Sequence, residues 1–240
     1  MSSDEKMKAI LEEVRTAYCL IEAGLIHLNK MKENAYTFHL PLTDLYNGIE
    51  RLLKCIILID YNFTHGKYPN DRNFFKRTGT RLISGHDLNN LFDSVFEIYK
   101  SDSSHSKMKG PVEDYDYIEK HYLPTKLIKL TAEFAVETRY RNLNVLLGSN
   151  GKNYKSPEEE VIKLIEHIIK IEFEDLNNDE YNLFDLAIRE MFICYTKIIR
   201  FLSRFFIYSG QAFDLNHISR AWGFIKLYGD PVLNISEYKR

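Results

Sequence analysis

The stretch Leu42-Thr-Asp-Leu-Tyr-Asn-Gly-Ile-Glu-Arg-Leu-Leu-Lys-Cys-Ile-Ile-Leu-Ile-Asp-Tyr-Asn62 decides the fold class. Leu45, Ile49, Leu52, Ile56 and Ile59 recur at three- and four-residue steps, while Asn47, Arg51 and Lys54 fall opposite them. A stripe of that period is one face of an α-helix, and a strand would need strict alternation instead. The spacing predicts a helix from about Leu42 to Asn62, entered past Pro41.

Working outward, the same period predicts a first helix from about Asp4 to Asn34, with Ile10, Val14, Ala17, Ile21 and Leu25 inward. After Asn62, the segment Phe63 to Gly85 reads as a long loop holding Gly66, Pro69 and Gly79. A third helix is expected from near Asp87 to near Lys100, then a polar linker, then a short helical piece from Pro111 to His121. Pro124 suits the first turn of a long helix reaching about Leu147, which Gly148 and Gly151 end. Ser156-Pro-Glu-Glu159 is a helix start, with a cap, a proline at the first position and acids at the positive dipole end. That helix should end near Glu174, and a last long one should run from about Asp179 to Ser209. No segment alternates cleanly. The expected architecture is all-α, an up-and-down helical bundle forming one domain over 1–240.

Composition sets bounds. The chain has 240 residues, 45% hydrophobic, with 16 Tyr and 15 Phe, so a sizeable core is available. Its formal charge is −2, and any nucleic-acid binding must come from a local patch. Cys19, Cys55 and Cys194 are odd in number, far apart and set in apolar helical contexts, which predicts reduced core thiols and a cytoplasmic setting. The N-terminus lacks a signal-peptide pattern. The most apolar stretch, Leu183 to Tyr208, carries Arg189, Glu190, Lys197, Arg200 and Arg204, which argues against a membrane span. No phosphate-cradling glycine loop, nucleophile elbow or zinc spacing is present. Asp175 to Asp179 begins like a calcium loop, but Glu180 stands where glycine is needed and Leu186 where a bidentate Glu is needed. No cofactor or metal is expected.

Gly48-Ile-Glu-Arg-Leu-Leu-Lys54, Gly85-His-Asp-Leu-Asn-Asn-Leu-Phe92 and Glu137-Thr-Arg-Tyr-Arg-Asn142 together resemble the HEPN superfamily of helical bacterial and archaeal domains. The resemblance covers about 40–148, the HEPN-like core, with 156–240 as a C-terminal helical extension packed on it. It implies a four- or five-helix bundle, often dimeric, in toxin–antitoxin and defence systems. Catalytic members are metal-independent endoribonucleases with Arg, four to six residues, then His, late in the bundle. Counting from Arg139, those positions hold Asn144, Val145 and Leu146, and from Arg141 they hold Leu146, Leu147 and Gly148. None serves as a general acid or base near neutral pH, so the resemblance implies a non-catalytic member that binds RNA or a cognate protein. A divergent endoribonuclease would use Arg81 and His86, which stand at that spacing before the third helix, or Arg141 with another base. A purely structural helical partner is the third reading.

Three further features bear on function. Arg141 falls on an apolar arc with Leu127, Leu130, Phe134 and Val145, either facing a cleft or forming a structural ion pair. Asp87 can cap its helix, so the His86-Asp87 pair has a structural explanation as well. Between His65 and Arg81, five cations (Lys67, Arg72, Lys76, Arg77, Arg81) face one carboxylate, Asp71, with Tyr68, Phe74 and Phe75 interleaved. Cations track phosphates and aromatics stack on bases, so Lys67, Arg72, Phe74, Phe75, Lys76 and Arg77 are candidate RNA contacts, against a solvated loop anchored by buried Phe residues. Arg189, Lys197, Arg200 and Arg204 share one helix face, either solvated or, for Arg200 and Arg204, joined to that basic surface.

Overall fold

A computed structural model describes residues 3–31, 38–70, 74–77, 87–101, 109–137, 157–174, 183–208 and 223. Among them every regular element is a helix. In chain order these are α1 (Ser3–Asn29), α2 (His39–His65), α3 (Phe74–Arg77), α4 (Leu88–Ser101), α5 (Lys109–Lys120), α6 (Tyr122–Glu137), α7 (Pro157–Glu172) and α8 (Leu183–Tyr208). The all-α expectation holds. Among the described residues no helix is long and apolar enough to cross a membrane.

α2 begins three residues earlier than its stripe implies, because Pro41 fits a first turn, where its missing N–H is not needed. It ends at Gly66, whose φ of 66° places it in the left-handed region that closes a helix. Asp87 caps α4, its Oδ1 accepting from the backbone N–H groups of Asn89 (3.1 Å) and Asn90 (3.3 Å).

α1 and α2 form an antiparallel hairpin, pinned by Arg51 on Glu13 and by His27 Nδ1 3.3 Å from Asp44 Oδ2. Two glycines set how closely they lie. A Cβ on Gly48 would stand 2.6 Å from Ile21 Cγ1 and 2.9 Å from the Ala17 carbonyl oxygen. One on Gly24 would stand 2.7 Å from Leu45 Cγ and 3.0 Å from the Pro41 carbonyl oxygen. Glycine costs a helix interior about 1 kcal/mol relative to alanine, and here the cost is offset by backbone-to-backbone packing.

α8 is the central helix, packed on α1, α2, α5, α6 and α7. Met191, Cys194, Tyr195, Ile198, Ile199 and Leu202 are wholly buried along it. Several of its buried hydroxyls are hydrogen-bonded, within α8 or to neighbouring helices. Tyr18 OH donates to Ser203 Oγ at 2.7 Å, and that hydroxyl donates to the Ile199 carbonyl at 2.7 Å. Thr131 Oγ1 donates to the Leu127 carbonyl at 2.6 Å, so the Tyr195 phenol, 2.6 Å away, is the donor to Thr131. Cys55 and Cys194 are buried as expected. Cys19 is exposed, which corrects its reading as a core thiol. Burial, then the Glu13 charge, pushes the Cys55 thiol up to about 12.

Candidate nucleic-acid interface

The last turn of α2 brings Tyr61 and His65 onto one face, and their rings stack with centroids 4.0 Å apart and planes 16° from parallel. Gly66 then turns the chain back toward α1. Tyr68 is buried, its hydroxyl donating to Met7 Sδ at 3.7 Å, and burial raises its pKa. Asn70 Oδ1 accepts from Lys6 Nζ at 2.8 Å. The first half of the long segment is therefore tied to the start of α1 rather than looping free. Tyr61, Lys67, Tyr68, Pro69 and Asn70 line an open pocket of about 480 Å³. Lys67 is exposed at its edge.

α3 explains the two phenylalanines. Phe74 meets Tyr61 edge-on at 5.0 Å, Phe75 meets Phe74 edge-on at 5.2 Å, and Lys54 Nζ lies 5.5 Å from the Phe75 centroid. Both rings are half-buried against the core. Both rings are engaged within the protein, and the ring lining the pocket with Lys67 is Tyr61, stacked on His65; this pair is not among the sequence candidates. Its signal was present: two rings four residues apart at a helix end. Lys76 and Arg77 belong to α3 by backbone. Arg72, Arg81, His86 and Arg141 lie outside the described residues.

Arg200 and Arg204 belong elsewhere, and their assignment to a nucleic-acid surface is corrected. Arg200 is 3% exposed and donates from Nη2 to Asp114 Oδ1 at 2.6 Å. Arg204 pairs through Nη1 with the other oxygen, Asp114 Oδ2. Asp114, on α5, is itself 3% exposed. A carboxylate buried that deeply demands cations, and α8 supplies two, one turn apart. Lys197, on the same face, sits with Nζ 3.7 Å from the Tyr117 ring centroid. The charged face of α8 is thus a seam against α5. Phe96 and Tyr99 of α4, Tyr115 of α5 and Phe201 of α8 pack ring against ring beside it, with Tyr99 stacked on Tyr115 at 4.7 Å. Asp114 is not among the sequence candidates, because in the short helical piece from Pro111 to His121 it sits among alternating acids and tyrosines that look like a solvated face.

Among the described residues no group of three or more His, Cys, Asp or Glu could hold a metal ion. The quoted family-like runs are packing elements where they are described: Gly48 sits in the α1 crossing, and Leu52, Leu53, Leu88, Leu91 and Phe92 are buried. Comparison with protein-family models, with curated proteins and with solved structures found no match.

Proposed function

We propose that this chain is a non-catalytic, HEPN-like helical protein that binds single-stranded RNA at the α2–α3 end, in a toxin–antitoxin or defence setting in the cytoplasm, as a homodimer. One observation carries the RNA reading: exposed Lys67 borders an open pocket lined by Tyr61, whose ring stacks on His65. A phosphate-tracking cation beside an aromatic platform is the minimal equipment for holding a single strand without reading its sequence. The family reading rests on the three quoted runs and on the all-helical bundle.

A fluorescence titration of short single-stranded RNA at several salt concentrations tests this. Lys67→Ala should lower the logarithmic salt slope by about 0.7, the share of one phosphate contact. Tyr61→Ala should weaken binding by about 1–3 kcal/mol and leave that slope in place. Absence of binding at low salt would transfer the role to a cognate protein partner. RNA should stay intact in chelator. Cleavage abolished by His86→Ala would instead establish the divergent endoribonuclease. Light scattering at micromolar concentration should give twice the chain mass.

A further inference from the structure

α6 and α7 lie antiparallel with an open cleft of about 330 Å³ between them. Lys126, Lys129 and Glu133 line one wall, and Glu160, Lys163 and His167 line the other. The floor is apolar, made by Leu130 and Leu164, both buried. Each carboxylate is answered within its own helix: Lys129 Nζ is 3.7 Å from Glu133 Oε1, and Lys163 Nζ is 2.8 Å from Glu160 Oε1. Lys126 and His167 are then left on opposite walls at the same end of the cleft, both exposed and neither in an ion pair with a described residue. The Tyr122 ring meets the His167 ring edge-on at 5.2 Å, and its buried hydroxyl has no hydrogen-bond partner among the described residues.

We propose that this cleft binds a phosphate-bearing ligand, with Lys126 and His167 grasping it from the two walls. The donor set decides the class. Several N–H donors on two walls exceed what one carboxylate can accept, whereas a phosphoryl group offers three strong acceptor oxygens. An apolar floor beneath the charges lowers the local dielectric and strengthens each contact. The cleft is at the small end for ligand pockets, which suits a di- or oligophosphate group more than a large organic body. The phosphates could belong to a free nucleotide or to an RNA backbone, and the chemistry is shared. This site is separate from the α2–α3 end and does not rest on it.

Pyrophosphate titrated calorimetrically into the full chain at low salt is the test. Binding is expected, and Lys126→Gln and His167→Gln should each weaken it about tenfold, the worth of one charge-assisted hydrogen bond. Glu133→Gln, which removes a competing negative charge, should tighten it, a gain that misfolding cannot imitate. Lys67→Gln at the other site should change nothing, so failure here is distinguishable from failure of the RNA reading. Displacement of pyrophosphate by single-stranded RNA would identify the source as nucleic-acid backbone, and retention as a free phosphorylated compound. No binding at low salt, or no tightening in Glu133→Gln, would overturn the proposal.

Discussion

Two cationic regions of this molecule have opposite fates. On α8, Arg200 and Arg204 converge on the buried Asp114 carboxylate, with a cluster of packed rings beside the seam. At the end of α2, Lys67 is exposed beside the stacked Tyr61–His65 rings and makes no ion pair with a described residue. The residues look alike in sequence, basic and interleaved with aromatics. The difference is a single acid, Asp114, separated from Arg200 by 86 residues in the chain. Cations sink into a core only where a carboxylate already waits there, because unpaired burial costs far more than any packing returns. Basic clusters are therefore informative about ligands only after their internal partners are known.

The largest expected effect comes from alkaline pH, which acts on buried hydroxyls and thiols of α1, α2 and α8. Burial raises the pKa of Tyr18, Tyr195 and Cys194, and lifts Cys55 to about 12. The unfolded chain ionises these groups near their ordinary values of about 8.5 for a thiol and about 10 for a phenol. As pH rises, the unfolded state loses protons first, so the stability present below about pH 8.5 is lost progressively above it. Each group costs about 1.4 kcal/mol per pH unit in that window. Thermal melting followed by circular dichroism should show a steep fall between about pH 9 and about pH 11. A flat profile would mean that these hydroxyls and thiols are not held in a dry core.

Removing the acid is the next largest perturbation. Asp114→Ala removes the buried carboxylate that Arg200 and Arg204 share and should destabilise by about 3–5 kcal/mol, measured by urea unfolding. The triple replacement Asp114→Leu, Arg200→Met, Arg204→Leu should recover most of that loss, since well-packed apolar groups often match a buried ion network. If Asp114→Ala is silent, the seam is wet and the contrast with Lys67 disappears.

The fold was more legible than the site, for physical reasons that can be pointed to. The Ile49–Ile59 stripe, the Ser156-Pro-Glu-Glu start and the Asp87 cap are local signals, each completed within one or two turns, and the helices they announce are present. The partnership of Asp114 with Arg200 joins α5 to α8, and no local period encodes it. Gly24 and Gly48 fall between these cases. An isolated glycine in a helical pattern signals a close approach, yet the approaching atoms belong to another helix. Phe74 and Phe75 fit either base stacking or anchoring by their sequence, and in the fold they pack edge-on against Tyr61 and each other, half-buried on the core.

That glycine crossing gives a smaller, sharper test of the apolar side. Gly48→Ala improves helix propensity by about 1 kcal/mol, but its methyl group meets Ile21 Cγ1 at 2.6 Å and the Ala17 carbonyl oxygen at 2.9 Å. Isoleucine can rotate, and the Ala17 backbone cannot. Overpacking should win, leaving a net loss of about 1–3 kcal/mol by chemical denaturation. A stabilised variant would show that α1 and α2 can slide apart without cost.

The smallest effect on stability is expected at the exposed end, and that is what makes it diagnostic. Lys67 makes no ion pair with a described residue and lies at the rim of an open pocket, so Lys67→Ala should move the unfolding free energy by no more than about 0.5 kcal/mol. The same substitution should reduce the salt dependence of single-stranded RNA binding, because an exposed cation that stabilises nothing internally is free to exchange counterions with a phosphate. Arg204→Ala supplies the opposite pairing, with a large stability loss and, at temperatures where the variant remains folded, an unchanged salt slope. Measuring both quantities for both variants places each cation on one side of the contrast. If Lys67→Ala unfolds the protein, the α2 end is part of the core's ion economy. If Arg204→Ala flattens the salt slope while folded, the α5–α8 seam opens to ligand after all.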